Sequence, residues 1–124
     1  MLFAAHMGWV DRDHALRVGG QYARRATLFL GGIAVAHYCA GRLAEAVHYS
    51  QEILRLRPRF QGAQRMYCAS LAQAGRVEEA RKFLGTVRLE QPQLSLDRIR
   101  KSVPYQTPGL MEQFLDGMRK AGLT

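Results

Sequence analysis

The chain has 124 residues, 48% of them hydrophobic, and 18 Lys+Arg against 10 Asp+Glu give a formal charge of +8. That length accommodates one ordinary domain, and a mean hydropathy of -0.21 fits a chain that buries a core rather than staying disordered. No run approaches the roughly 18 apolar residues of a membrane helix, and two cysteines cannot form a disulfide framework.

Residues 1–26 come first. Met1–Val10 has no positive n-region and meets Asp11-Arg12-Asp13 early, so a secretory leader is not expected and a reducing, cytoplasmic setting is. Ala15, Leu16, Val18 and Tyr22 suggest a helix, which Gly19-Gly20 should interrupt. We read this segment as a degenerate form of the unit that follows, acting as an N-terminal cap.

Residues 27–60 and 61–94 then repeat one another at an offset of 34 without a gap. The identical columns are Ala40/Ala74, Gly41/Gly75, Arg42/Arg76, Glu45/Glu79, Ala46/Ala80 and Pro58/Pro92. Leu43/Val77, Tyr49/Phe83, Ile53/Val87 and Phe60/Leu94 keep apolar or aromatic type. Ahead of each glycine lies a helical pattern, as in Leu30, Ile33, Ala34, His37 and Tyr38. The glycine takes the left-handed conformation that ends the helix. Ala46 and Ala80 are small residues where two antiparallel helices should cross closely, and Pro58 and Pro92 stop the second helix. The unit is helix–turn–helix, and it hides its apolar face only by stacking on a neighbour.

Residues 95–124 read as capping helices. Ser95 is an N-cap for a short helix over Leu96–Ser102, which Pro104 ends. Thr107-Pro108 reads as the cap and first residue of another helix, with Leu110, Met111, Phe114, Leu115 and Met118 on one face and Gly122 as its stop.

Catalytic constellations are absent from this reading. Gly19-Gly20 and Gly31-Gly32 lack the lysine or the spacing of a phosphate-binding loop, and Gly31-Gly32 reads as close helix packing or a ragged helix start. His37, Cys39, His48 and Cys68 do not form a metal spacing, so no metal or cofactor is expected and His37 reads as a packed side chain. Glu45, Glu78 and Glu79 sit early in second helices, where negative charge suits the helix dipole. The positive charge is spread: residues 1–60 hold eight cations and four anions, residues 61–124 ten and six. Arg55, Arg57, Arg59 and Arg65 form the densest stretch, but few aromatics are interleaved for base stacking. A nucleic-acid-binding domain is therefore the alternative reading, and a bias toward acidic partners the leading one.

The period, the Gly-x-x-x-x-Ala spacing at Gly41/Ala46 and Gly75/Ala80, and the closing prolines resemble the tetratricopeptide repeat over residues 27–94. The usual large aromatic near the repeat start is Leu30 in one copy and Gln64 in the other. The closing segment LSLDRIRKSVPY and the ending FLDGMRKAGLT further resemble the C-terminal repeat region of bacterial class III adenylate cyclase–tetratricopeptide fusion proteins, whose catalytic motifs have no counterpart here. The resemblance implies an all-α fold, a short right-handed superhelical solenoid of antiparallel helix pairs with capping helices. It also implies a non-catalytic protein–protein interaction module, a scaffold or regulatory part of a bacterial protein, in which first helices line a concave groove. By register that groove presents Leu28, Gly31, Val35, Tyr38 and Cys39 from the first copy, and Arg65, Met66, Ala69 and Gln73 from the second. Gly31 and Val35 stand where chaperone-binding members carry a Lys/Asn carboxylate clamp, so no clamp is expected there. The expected partner is a protein or peptide segment of apolar or mixed character. Two units are fewer than the three usually needed for stability, so the caps or a second copy in a homo-oligomer must cover the open faces.

Overall fold

The computed structural model describes residues 12–102 and 109–124, with side chains from Gly20 onward. Six helices and no strand occur among the described residues: α1 (Arg12–Cys39), α2 (Leu43–Leu56), α3 (Gln61–Gln73), α4 (Val77–Glu90), α5 (Leu96–Ser102) and α6 (Leu110–Lys120). The result is the all-α arrangement of stacked helix pairs that the 34-residue period implies.

The repeated columns account for the pairing. Gly41 and Gly75 have φ of 78° and 85°, a conformation in which a Cβ is strained. That turn lets Arg42 N–H reach the His37 carbonyl at 2.9 Å, and Arg76 N–H the Leu71 carbonyl at 2.9 Å. One orphan carbonyl at each of the two helix ends is thereby satisfied, and the chain reverses within three residues. Arg76 then folds back onto Glu79 at 2.7 Å, whose carboxyl is held below its ordinary value first by that hydrogen bond. Arg42 turns the other way and donates to His37 Nδ1 at 2.9 Å, while His37 stacks on Tyr49 at 5.4 Å. Ala46 and Ala80 are 0% exposed, at the tight crossings their size allows. Beyond α2 and α4, Phe60 N–H donates to Arg57 at 3.1 Å and Leu94 N–H to Gln91 at 3.0 Å, so each proline sits inside one closed turn.

Two boundaries differ from expectation. Helix α1 runs unbroken for 28 residues, through Gly19-Gly20 and past Thr27. Each glycine costs only about 1 kcal/mol in a helix interior, so a pair without a proline does not end it. Thr27 caps nothing; its hydroxyl donates to the Ala23 carbonyl at 2.6 Å. Gly31 and Gly32 lie in mid-helix with nothing among the described residues within 4 Å of where a Cβ would stand, so neither close packing against them nor a ragged start accounts for these glycines. Helix α6 begins at Leu110 after Gly109, whose φ is 85°. Pro104, Thr107 and Pro108 lie outside the described residues, as do residues 1–11.

Ser95 caps α5 as its type suggests, its Oγ accepting from Arg98 N–H at 3.0 Å. The core centres on α3, whose Cys68, Ala69 and Leu71 are at most 1% exposed and share one cluster with Leu84, Ile99, Leu115 and Met118. Cys68 Sγ donates to the Ala80 carbonyl at 3.5 Å, and burial pushes its thiol from 9.0 up to about 12. The neutral thiol therefore stabilises the fold below pH 9.0, and that contribution is lost as pH rises toward about 12. A thiol-modifying reagent at mildly alkaline pH is expected to label the exposed Cys39 alone in the native protein, and both cysteines after denaturation. Native labelling of both would contradict the burial.

Candidate protein-binding surfaces

The nine residues expected to line an open groove are not all accessible. Tyr38, Met66 and Ala69 are 2%, 4% and 0% exposed. Gly31, Val35, Arg65 and Gln73 are half-buried, and Leu28 and Cys39 are exposed. The cover over Tyr38, Ala69 and Gln73 is α6. Tyr38 Oη donates to the Gln113 carbonyl at 2.6 Å, and its ring meets Phe114 edge-on, with centroids 6.5 Å apart. Gln73 Nε2 donates to the same carbonyl at 3.2 Å and to Asp116 Oδ2 at 3.3 Å, while Lys120 Nζ donates to Gln73 Oε1 at 2.8 Å. Gly117 permits the approach: a Cβ there would stand 2.9 Å from Ala69 Cβ and 3.0 Å from the Ala69 carbonyl. Asp116 is held below its ordinary value by hydrogen bonds from Lys120 first and Gln73 second. Its contact with Gln73 therefore persists above the usual aspartate range and is lost as pH falls through the lowered value.

The residues that close the groove belong to α6, where sequence reasoning placed an apolar face without its counterpart. A glycine set between Phe114 and Met118 on that face was the available signal, since a missing side chain amid large ones marks a close helix crossing.

A second surface lies on α1. Tyr22, Leu28 and Phe29 are 66%, 76% and 71% exposed. Tyr22 and Phe29 are seven positions apart and share a face, with Leu28 on its flank toward the groove. Tyr22 and Phe29 were not among the expected site residues, because the periodicity assigned Tyr22 to a separate helix.

The third feature is polar. Gln64, which stands where the repeat usually has an aromatic, is only 5% exposed, and Gln91 is 9% exposed. Gln91 Nε2 donates to Gln64 Oε1 at 2.9 Å, and Gln64 Nε2 donates to the Pro58 carbonyl at 3.2 Å and Glu90 Oε2 at 3.3 Å. Arg65 Nη2 donates to Gln91 Oε1 at 2.9 Å. A cavity of about 340 Å³ lies against this relay, between the start of α3, the α4–α5 loop and α5. Of the expected groove residues, Arg65 is the one that faces it.

The charged surface is laced with ion pairs. Arg55 meets Glu52 at 2.9 Å, Arg81 meets Glu78 at 3.3 Å and Arg100 meets Glu112 at 2.8 Å. Among the described residues no group of three or more His, Cys, Asp or Glu is placed to hold a metal, and no helix is long and apolar enough to cross a membrane.

Comparison with known proteins agrees with this architecture. The family described as "Tetratricopeptide repeat" matches residues 39–100. A protein of Rhizobium meliloti (strain 1021) named "Putative adenylate cyclase 3" is 40% identical over 45 residues, which is 36% of this chain and 8% of that protein. The chain thus aligns with a small fraction of that relative's length, and the match supports the resemblance to cyclase–repeat fusions. No solved structure matches the chain.

Proposed function

The chain belongs to the tetratricopeptide repeat family, and from that premise we propose that it is a non-catalytic protein–protein interaction module. Members of this family generally mediate such contacts, and the observation that carries the reading here is the exposed apolar strip of Tyr22, Leu28 and Phe29 on α1. Three large apolar side chains more than half exposed on one helix mark a surface suited to cover by another protein. Homo-oligomerisation through this strip, a cytoplasmic setting, and a scaffold or regulatory role beside a cyclase-type catalytic region belong to the same proposal. The nucleic-acid alternative is less well supported, because several surface arginines are turned onto neighbouring carboxylates, and Arg57 lies over the Phe60 ring at 4.8 Å.

The test substitutes L28D and F29D together, at positions exposed enough to leave the core intact. Affinity capture from a host lysate should recover specific partners with the parent chain and lose them with the double variant. Light scattering of the parent should give a dimer mass that falls to the monomer in the variant. Equal capture by both proteins would remove the strip from the proposal, and a monomer at all concentrations would remove the homo-oligomer.

A further inference from the structure

We propose that α1 pairs with α1 of a second copy, antiparallel across a two-fold axis, so that the large side chains of each helix fill the small positions of the other. This rests on the reading of the strip at Tyr22 and Phe29 as an interaction surface, and it names what covers that strip.

The open side of α1 is a single seam. Tyr22, Phe29 and Ala36 recur every seven positions, and Arg25, Gly32 and Cys39 follow each of them by three. All six are exposed. That spacing aligns them along one stripe of the helix, the arrangement by which one helix covers another. Thr27, Ala34 and Tyr38, at most 2% exposed, hold the opposite side against the rest of the fold.

The seam is graded in size. Its first half carries Tyr22, Arg25 and Phe29, its second half Gly32, Ala36 and Cys39. Turned end for end against itself, the seam matches Tyr22 with Cys39, Arg25 with Ala36 and Phe29 with Gly32, and the two-fold axis repeats each match. Every layer then sets a large side chain against a small one, as close packing between helices requires. In a parallel pair Phe29 would meet Phe29 and Gly32 would meet Gly32, crowding one half and leaving a gap in the other. Nothing among the described residues lies within 4 Å of a Cβ added at Gly32. The phenyl ring of a second copy gives that missing side chain a purpose.

Charge selects the same direction. A parallel pair would stack Arg24 and Arg25 on their own counterparts, whereas the antiparallel pair parts the two Arg25 side chains by about 16 Å along the axis, beyond the screening length of about 8–10 Å. Arg25 instead lies beside Ala36, in the last turn of the other α1, where the negative end of the helix dipole favours a cation. The area is sufficient but small. Tyr22, Leu28 and Phe29, at 66%, 76% and 71% exposed, present on the order of 400 Å² per copy. With the smaller seam residues the pair covers about 1,000–1,200 Å², the lower end for a specific interface. A dissociation constant in the micromolar range is expected.

The full chain carrying Y22C provides the first test. Under mild oxidation the thiol at position 22 should bridge to Cys39 of the second copy, read as a covalent dimer on a non-reducing gel and as one linked peptide pair by mass spectrometry. Within one helix those positions lie about 25 Å apart, beyond the roughly 7 Å that a disulfide spans between Cα atoms. The parent and Y22C/C39S should give at least about tenfold less covalent dimer, because antiparallel copies hold like positions apart. Light scattering then compares G32L with G85L, two positions with nothing among the described residues within 4 Å of an added Cβ. G32L should keep its helicity and weaken self-association about tenfold or more, while G85L keeps the parent's mass.

A dimer that G32L leaves intact overturns the pairing. So does Y22C that yields no more covalent dimer than the parent, or Y22C/C39S that cross-links as well as Y22C. A parent monomeric at all concentrations overturns it as well, and the strip as a surface for another protein is then judged separately by capture with L28D/F29D.

Discussion

Phe114→Ala is expected to lower the unfolding free energy by about 3–5 kcal/mol, read from the shift of the urea midpoint at unchanged slope. The phenyl ring is 2% exposed and lies edge-on to Tyr38, so truncation removes both its buried area and an aromatic contact. Total stabilities of small domains run from about 5 to 15 kcal/mol, so this change alone removes a large share. The size of the effect reports on α6 as a whole. Two repeats leave the inner face of α3 without a neighbour, and Leu110, Phe114, Leu115 and Met118 supply one. A loss under about 1 kcal/mol would mean that α6 is docked on a domain already stable without it.

The second large effect is expected at Gly117. Alanine improves helix propensity by about 1 kcal/mol, and an open position would be stabilised by it. At Gly117 the sign should reverse, with a net loss of about 1–3 kcal/mol from overpacking and a larger loss for leucine. The new Cβ would meet Ala69 Cβ at 2.9 Å and the Ala69 carbonyl at 3.0 Å, both fixed by α3. Tyr38 Oη, at 2.6 Å from the same point, is tied to the Gln113 carbonyl and cannot swing away without breaking that bond. Gly85 on α4 provides the control, since nothing among the described residues lies within 4 Å of its added Cβ. Gly85→Ala should gain about 0.5–1 kcal/mol. Like signs for the two substitutions would show that α6 and α3 do not pack as closely as the geometry requires.

The repeat was legible because its signals are local. Gly41, Gly75, Pro58 and Pro92 act on the chain within a few residues of themselves, through backbone conformations that few other residues supply. Ser95 is of the same kind, and its bond to Arg98 spans three residues. The closure of the groove depends on pairs far apart in sequence. Tyr38 and Gln113 are separated by 75 residues, and Gln73 and Asp116 by 43, distances over which no periodicity operates. An amphipathic helix announces that it has a buried face without naming what buries it. The register therefore placed Tyr38, Ala69 and Gln73 on one surface and left α6 as a cap of unspecified partner.

The Gln64–Gln91 relay was hidden for a related reason. A polar residue in an apolar column looks like decay of the repeat until its partner, 27 residues away, is seen to satisfy it. The run of α1 through Gly19-Gly20 is a different case. There a modest local penalty was read as a break, and helical continuity on either side outweighed it.

The placement of α6 on α3 also sets an order of events during synthesis. A strict stack of repeats can consolidate each unit as it emerges from the ribosome, because every unit needs only the one before it. Here the inner face of α3 waits for α6 to be made, and until then Ala69 and the ring of Tyr38 lack the neighbour that buries them. From the emergence of α3 until α6 is made, the nascent chain thus carries an exposed apolar seam, closed in one long-range step.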